Sequence, residues 1–241
     1  MKNLITAAVL FFGGVSAASA LPVYWTDWTS NASPGAIGTL DVHGTPVGIT
    51  YTGTPAFVQA GGGTDFWQNY RPQAGSPYTS ATVDNMPPAS DIVGLYLAGQ
   101  NRVTFTQSIA NPLFAYVSLN GNGYGFDRDF DILSFGDATD GNYCGYWGCG
   151  TSYKQTVVVG GVTEYQLLGT GEPHGVLQFK GAFDTVNWRS LSNEYWNGFT
   201  VGVMGLEADL PELNGDVPEP ATLALLGLGL AGLGFSRRKQ A

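Results

Sequence analysis

A chain of 241 residues with 35 glycines, 13 prolines and only 12% charged residues is too rich in turn formers for a helical protein and suits many short strands joined by turns. Between residues 21 and 216 six basic residues face 18 acidic ones, a net charge of −12, which weighs against nucleic acid and anionic lipid as partners. Few charges of mainly one sign fit surroundings of divalent cations or neutral polymer.

The first element is MKNLITAAVLFFGGVSAASA, with Lys2, an apolar stretch from Leu4 to Val15 and a small-residue A-x-A at Ala18 and Ala20. That order is expected of a secretory signal peptide, residues 1–20, a cleavable helix removed before Leu21. The run is short, interrupted by glycine and finished by a processing site, which argues against a buried N-terminal helix. The body is therefore expected to cross the inner membrane.

Residues 21–210 are the right length for one all-β domain. Strand candidates in chain order are PVGITYTG, DIVGLYL, RVTFTQS, PLFAYVSL, FDILSFG, KQTVVVG, VTEYQLL, GVLQFKG, FDTVNWR and GFTVGVMG. Each is a short run between turn signals. In VTEYQLL, Thr163, Tyr165 and Leu167 fall on one face and Val162, Glu164 and Gln166 on the other, the period of a half-buried strand. Such spacing predicts a two-sheet β-sandwich of the jelly-roll kind, with an up-and-down barrel as the alternative.

The densest acidic stretch is NGNGYGFDRDFDILSFGDATDGN, which places Asp127, Asp129 and Asp131 at alternate positions with Asn120, Asn122, Asp137 and Asp140 nearby. Clustered oxygens of this kind are what Ca²⁺ takes, making calcium the one cofactor the sequence suggests. The stretch is not an EF-hand, because Ile132 stands where the loop needs glycine and Ala138 where it needs a bidentate glutamate. If the segment is a strand, the three aspartates share one face and Phe126, Arg128, Phe130 and Ile132 the other, and a solvated face explains the acids without an ion.

Cys144 and Cys149 follow, flanking GYWG. In an exported chain two cysteines are expected to pair, and the spacing is not the C-x-x-C of a redox site. The closed loop would display Tyr143, Tyr146 and Trp147 among glycines, a rigid aromatic platform suited to sugar rings. The alternative is that Trp147 folds back as a lid over the sandwich.

No catalytic residue is expected. The sequence has no G-x-S-x-G, no H-E-x-x-H and no P-loop, and His43 and His174 read as turn or core residues. In EADLPE, the spacing of Glu207, Asp209 and Glu212 resembles the E-x-D-x-x-E of jelly-roll glycoside hydrolases of the laminarinase type, in which two carboxylates flank the scissile bond. Such a site implies a strand presenting both glutamates, and Pro211 cannot donate to its ladder. The acids suit a spacer at the start of the acidic, proline-rich linker over 211–219. A secreted hydrolase and a calcium-stabilised adhesive module are the alternative functions.

The last element, 220–241, holds an uncharged run from Ala221 to Phe235 and then Arg237, Arg238 and Lys239. Its 15 apolar residues make about 22 Å of helix, short of a bilayer core of roughly 30 Å. The basic cluster holds its end inside, as a stop-transfer segment met last. Val217, Pro218, Glu219 and Pro220, the Leu/Gly/Ala-rich run and the basic cluster, in that order, resemble the PEP-CTERM sorting signal. The resemblance implies an exosortase of a polysaccharide-producing Gram-negative bacterium as partner, cleavage near Pro-Glu-Pro, and delivery to the cell surface or extracellular matrix. Membrane contact is then confined to the hydrophobic sorting helix before processing. The two prolines keep the segment ahead of the helix extended, as a protease substrate should be. The stretch over 171–203 is similar to the closing strands of sandwich domains that precede such tails, a resemblance that carries over no enzymatic activity; the role expected of the body is structural or polysaccharide-contacting.

Overall fold

The computed structural model describes residues 20–32, 35–137 and 139–213. The signal segment over 1–19 and the chain from 214 onward, which holds Val217, Pro218, Glu219, Pro220, Arg237, Arg238 and Lys239, lie outside the described residues.

All ten expected strands form, and six others join them among the described residues. The N-terminal part runs β1 (Tyr24–Trp25), β2 (Asp27–Ala32), β3 (Gly35–Val42), β4 (Thr45–Thr52) and β5 (Pro55–Gln59). After a strand-free segment over 60–91 come β6 (Ile92–Leu95), β7 (Gly99–Ala110), β8 (Leu113–Val117), β9 (Tyr124–Phe126) and β10 (Asp131–Phe135). Then follow β11 (Gly150–Val159), β12 (Val162–Gly171), β13 (Gly175–Gln178), β14 (Ala182–Ser190), β15 (Asn197–Val203) and β16 (Gly205–Leu206). A 3₁₀ turn over Glu207–Asp209 and a single helical turn, α1 (Leu210–Leu213), close the described chain.

These strands make two antiparallel sheets. One is ordered β10-β13-β8-β15-β6-β5, with β1 on β15; the other is β11-β12-β9-β14-β7-β4-β3-β2, with β16 on β7. Eight strands follow the jelly-roll order, β6-β15-β8-β13 in one sheet and β7-β14-β9-β12 in the other. Each strand of the first half pairs with its counterpart returning from the second half. The chain between β9 and β12 is the turning point of the roll, and it carries β10, β11, the aspartates and the cysteines.

The inner faces meet in an aromatic core. Phe114 of β8 stacks on Phe199 of β15 with centroids 4.9 Å apart and packs edge-on against Tyr124, Phe126 and Trp188 of the other sheet. On β12, Leu167 and Tyr165 face this core as the alternation predicts, while Glu164 on the opposite face takes two hydrogen bonds from Arg189, at 2.5 and 2.8 Å. Strands β8 and β15 are buried along their whole length. The outer face of β8 lies under the 60–91 segment, where Trp67, Tyr78, Val83 and Met86 form a second cluster with Trp25, Leu113 and Ala115. A run such as that of β8, LFAYV, apolar on both faces, is the sequence mark of a strand covered twice.

Removing the ring at the centre of this contact leaves a cavity that neither sheet can close. Phe114→Ala is expected to lower unfolding stability by about 3–5 kcal/mol in urea titration; a loss below 1 kcal/mol would show that the sheets repack around it.

Candidate functional site

The disulfide loop rises from the turning point of the roll, between β10 and β11. Cys144 and Cys149 are bonded, with Cα atoms 4.4 Å apart. The loop is fastened from three sides. Tyr143 N–H donates to Gly75 O at 2.7 Å, Arg71 Nη1 donates to Cys144 O at 2.7 Å, and Glu172 N–H donates to Cys149 O at 3.0 Å. The ring of His174, 1% exposed, packs beneath it against Gly136 and Gly145, where a Cβ would come within 2.6 Å of the imidazole. Only glycine allows that approach.

Held this way, Tyr143, Tyr146 and Trp147 remain 43%, 38% and 55% exposed. Trp147 is therefore displayed and does not close over the core. Its edge meets Tyr146 at 5.0 Å and Trp196 at 6.3 Å; Phe66 contacts Tyr146 at 5.2 Å and Trp196 at 4.9 Å. Arg71 lies 5.7 Å from the Tyr143 ring and 5.8 Å from the exposed Tyr70. Three separate segments thus build one aromatic ridge. Sequence reasoning named the loop's members and missed Phe66, Tyr70 and Trp196, whose signals were the aromatic-polar clusters FWQNY and NEYWN.

Behind the ridge lies a carboxylate pair that the sequence did not single out. Glu172 accepts hydrogen bonds from Ser118 Oγ at 2.9 Å and from Asn120 Nδ2; Glu194 accepts one from Asn197 Nδ2 at 2.8 Å, and Tyr124 OH donates to Asn197 Oδ1. Ser118 adopts a φ of +57°, a left-handed conformation that costs a non-glycine residue energy. Burial pushes the Glu194 carboxyl up to about 8, and the charge of Glu172 adds to the rise. Glu194 can hold a proton near neutral pH.

The aspartates adopt a different arrangement from the continuous strand expected over Phe126–Gly136. Residues 127–130 form the crossing from β9 in one sheet to β10 in the other, so the three do not share a strand face. Phe130 is buried at the crossing, and each acid meets a separate partner. Asp127 accepts from Asn187 Nδ2 at 3.0 Å, Asp129 pairs with Lys154 at 2.6 Å, and Asp131 pairs with Lys180 at 2.7 Å. The Lys154 hydrogen bond holds the Asp129 carboxyl below its usual range. All three line an open groove of about 540 Å³ with Tyr165 and Phe183. Among the described residues, no group of three or more His, Cys, Asp or Glu side chains has metal-binding geometry. The neighbouring acids Asp137 and Asp140 cap backbone N–H groups of their own loop.

Glu207 and Asp209 occupy the 3₁₀ turn, Asp209 accepting from Leu206 N–H at 2.8 Å, and Glu212 falls in α1. No strand presents this motif. His43 sits in the β3–β4 turn at φ +51° with Tyr24 OH 2.9 Å from its Nδ1, away from His174.

In sequence, the sandwich domain is followed by a short apolar run with a basic end. Residues 216–239 match the PEP-CTERM protein-sorting motif, which supports a PEP-CTERM protein, an exosortase substrate. The motif implies export and exosortase-dependent delivery to the surface. No curated protein and no solved structure matches the chain.

Two titrating groups near the ridge, half-buried Glu194 and buried His174, set a pH dependence. Glu194 holds its proton more tightly folded than unfolded, so its contribution is full below 4.5 and is lost as pH rises toward about 8. His174, pushed down by burial from 6.5 to about 4, acts in the opposite sense, its contribution growing between those values. Above 6.5 Glu194 alone of the two still titrates, so the melting temperature is expected to fall between pH 6.5 and 8. Glu194→Gln should flatten that fall; an equal slope in the variant would assign it elsewhere.

Proposed function

We propose that the sandwich is a non-catalytic component of the cell surface or extracellular matrix that contacts polysaccharide through the ridge of Tyr143, Tyr146 and Trp147, once exosortase has removed the tail. The observation that carries this reading is the combination of exposed rings and a pinned backbone: Trp147 is 55% exposed on a loop closed by a disulfide and tied to Gly75, Arg71 and Glu172. Rings already fixed in place lose little entropy when they stack on a sugar. The body's net charge of −12 favours a neutral polymer over an anionic one. The contact needs no cofactor and no catalytic residue.

Retention in affinity electrophoresis through the producer's own polysaccharide tests the contact. Trp147→Ala is expected to weaken it about tenfold, the loss of roughly 1.4 kcal/mol. Unchanged retention by a variant with a wild-type melting curve would overturn the reading. Delivery is tested separately by mass spectrometry of protein from the surface fraction. The mature C-terminus should lie near Pro218–Pro220, and a stable chain ending at Ala241 in the inner membrane would refute processing.

A further inference from the structure

The two sheets end in four edge strands, and three carry a device that blunts pairing with another chain. Strand β5 begins at Pro55 and has an irregularity between Pro55 and Phe57; β2 has one between Trp28 and Ser30; β10 has one between Ile132 and Ser134 and bears Asp131. Bulges, prolines and charges are how natural sheets close their edges. Strand β11 has none of these over its outer half. It pairs with β12 through ten unbroken positions, from Gly150↔Gly171 to Val159↔Val162.

The inner half of β11 is occupied. Gly150 N–H donates to Gly136 O, and Lys154 reaches Asp129 and Phe130 O. From Gln155 the strand projects into solvent, with Val158 72%, Val159 46% and Val162 65% exposed. The hairpin closes through Gly160 and Gly161 at φ +60° and +83°, the two-residue turn that glycine favours. Val159 and Val162 are then a hydrogen-bonded pair, so alternation turns the N–H and C=O of Thr156 and Val158 to the open side.

We propose that this outer half of β11 joins a second copy of the same chain, antiparallel about a two-fold axis, so that the nine-stranded sheet continues into its partner. Charge selects a copy over another acidic surface. Residues 155–163 contain no charged side chain in a body that carries −12, so the hairpin is where two like-charged copies approach with least repulsion. Antiparallel self-pairing is also complementary in hydrogen bonding. Thr156 meets the partner's Val158, and Val158 meets the partner's Thr156, both outward-facing pairs.

Sedimentation velocity on the full chain in one detergent tests this, because every variant keeps the same apolar tail. The wild type is expected to shift from monomer to dimer with concentration. Val158→Pro removes an outward N–H without breaking the β12 ladder and should remain monomeric, with its melting temperature retained. Val158→Thr keeps the backbone donor and should still dimerise. A monomeric wild type, a dimer that survives Val158→Pro, or equal loss in both variants would overturn strand pairing; so would a pair formed with a different protein.

Discussion

The seven-stranded sheet must hide two faces, and the placement of everything else follows from how it does so. Its inner face is covered by the nine-stranded sheet through Phe114, Phe199, Trp188 and Phe126. Its outer face is covered along β8 by a segment with no strands of its own, 60–91, which gathers Trp67 and Tyr78 with Leu113, Ala115 and Val117. Trp67 Nε1 donates to Asp91 O at 3.1 Å, so the cover is fixed at its end by hydrogen bonding as well as by area. Once in place, the cover supplies Gly75 and Arg71, and these two hold the disulfide loop. The aromatic ridge is thus an extension of the cover. A ring exposed on the surface keeps its orientation because the backbone under it belongs to a buried layer.

The disulfide alone would not achieve this. Its loop spans a sequence separation of 5, and a closure that short contributes only about 2 kcal/mol through the unfolded state. What it restricts is local shape, while position comes from hydrogen bonds to chain distant in sequence. The same division of labour governs the carboxylate pair. Glu172 belongs to the turn entering β13 and Glu194 to the turn entering β15, and the jelly-roll order makes those returning strands share one sheet with β8 between them.

The ten expected strands were legible because their apolar runs are long and their turns are marked by glycine, proline and asparagine. The strands that escaped had weak signals for physical reasons. Strand β3 faces inward with Gly35, Ala36 and Gly38 before Leu40 and Val42, so small residues dilute its period; β9 is three residues long; β5 opens on proline. Alternating aspartates mimic a strand face, yet the chain crosses between sheets there, with Phe130 buried at the crossing in place of a ladder. Of the ridge, the loop residues were visible because glycines and cysteines isolate them. Phe66 and Trp196 join them only through tertiary contact, which no local pattern encodes. Glu172 and Glu194 are ordinary single acids until the fold brings them together.

Sorting and folding use apolar surface in opposite ways in this chain. The sorting motif concentrates it in a tail over 216–239. The sandwich hides its own so fully that large exposed apolar side chains gather mainly at two places, the ridge around Trp147 and the β11–β12 hairpin. These differ in kind. The ridge is built of flat rings on pinned backbone, a form suited to stacking; the hairpin is built of valines on a regular ladder, a form suited to backbone pairing. A body carrying −12 repels copies of itself, and only neutral surfaces escape that repulsion.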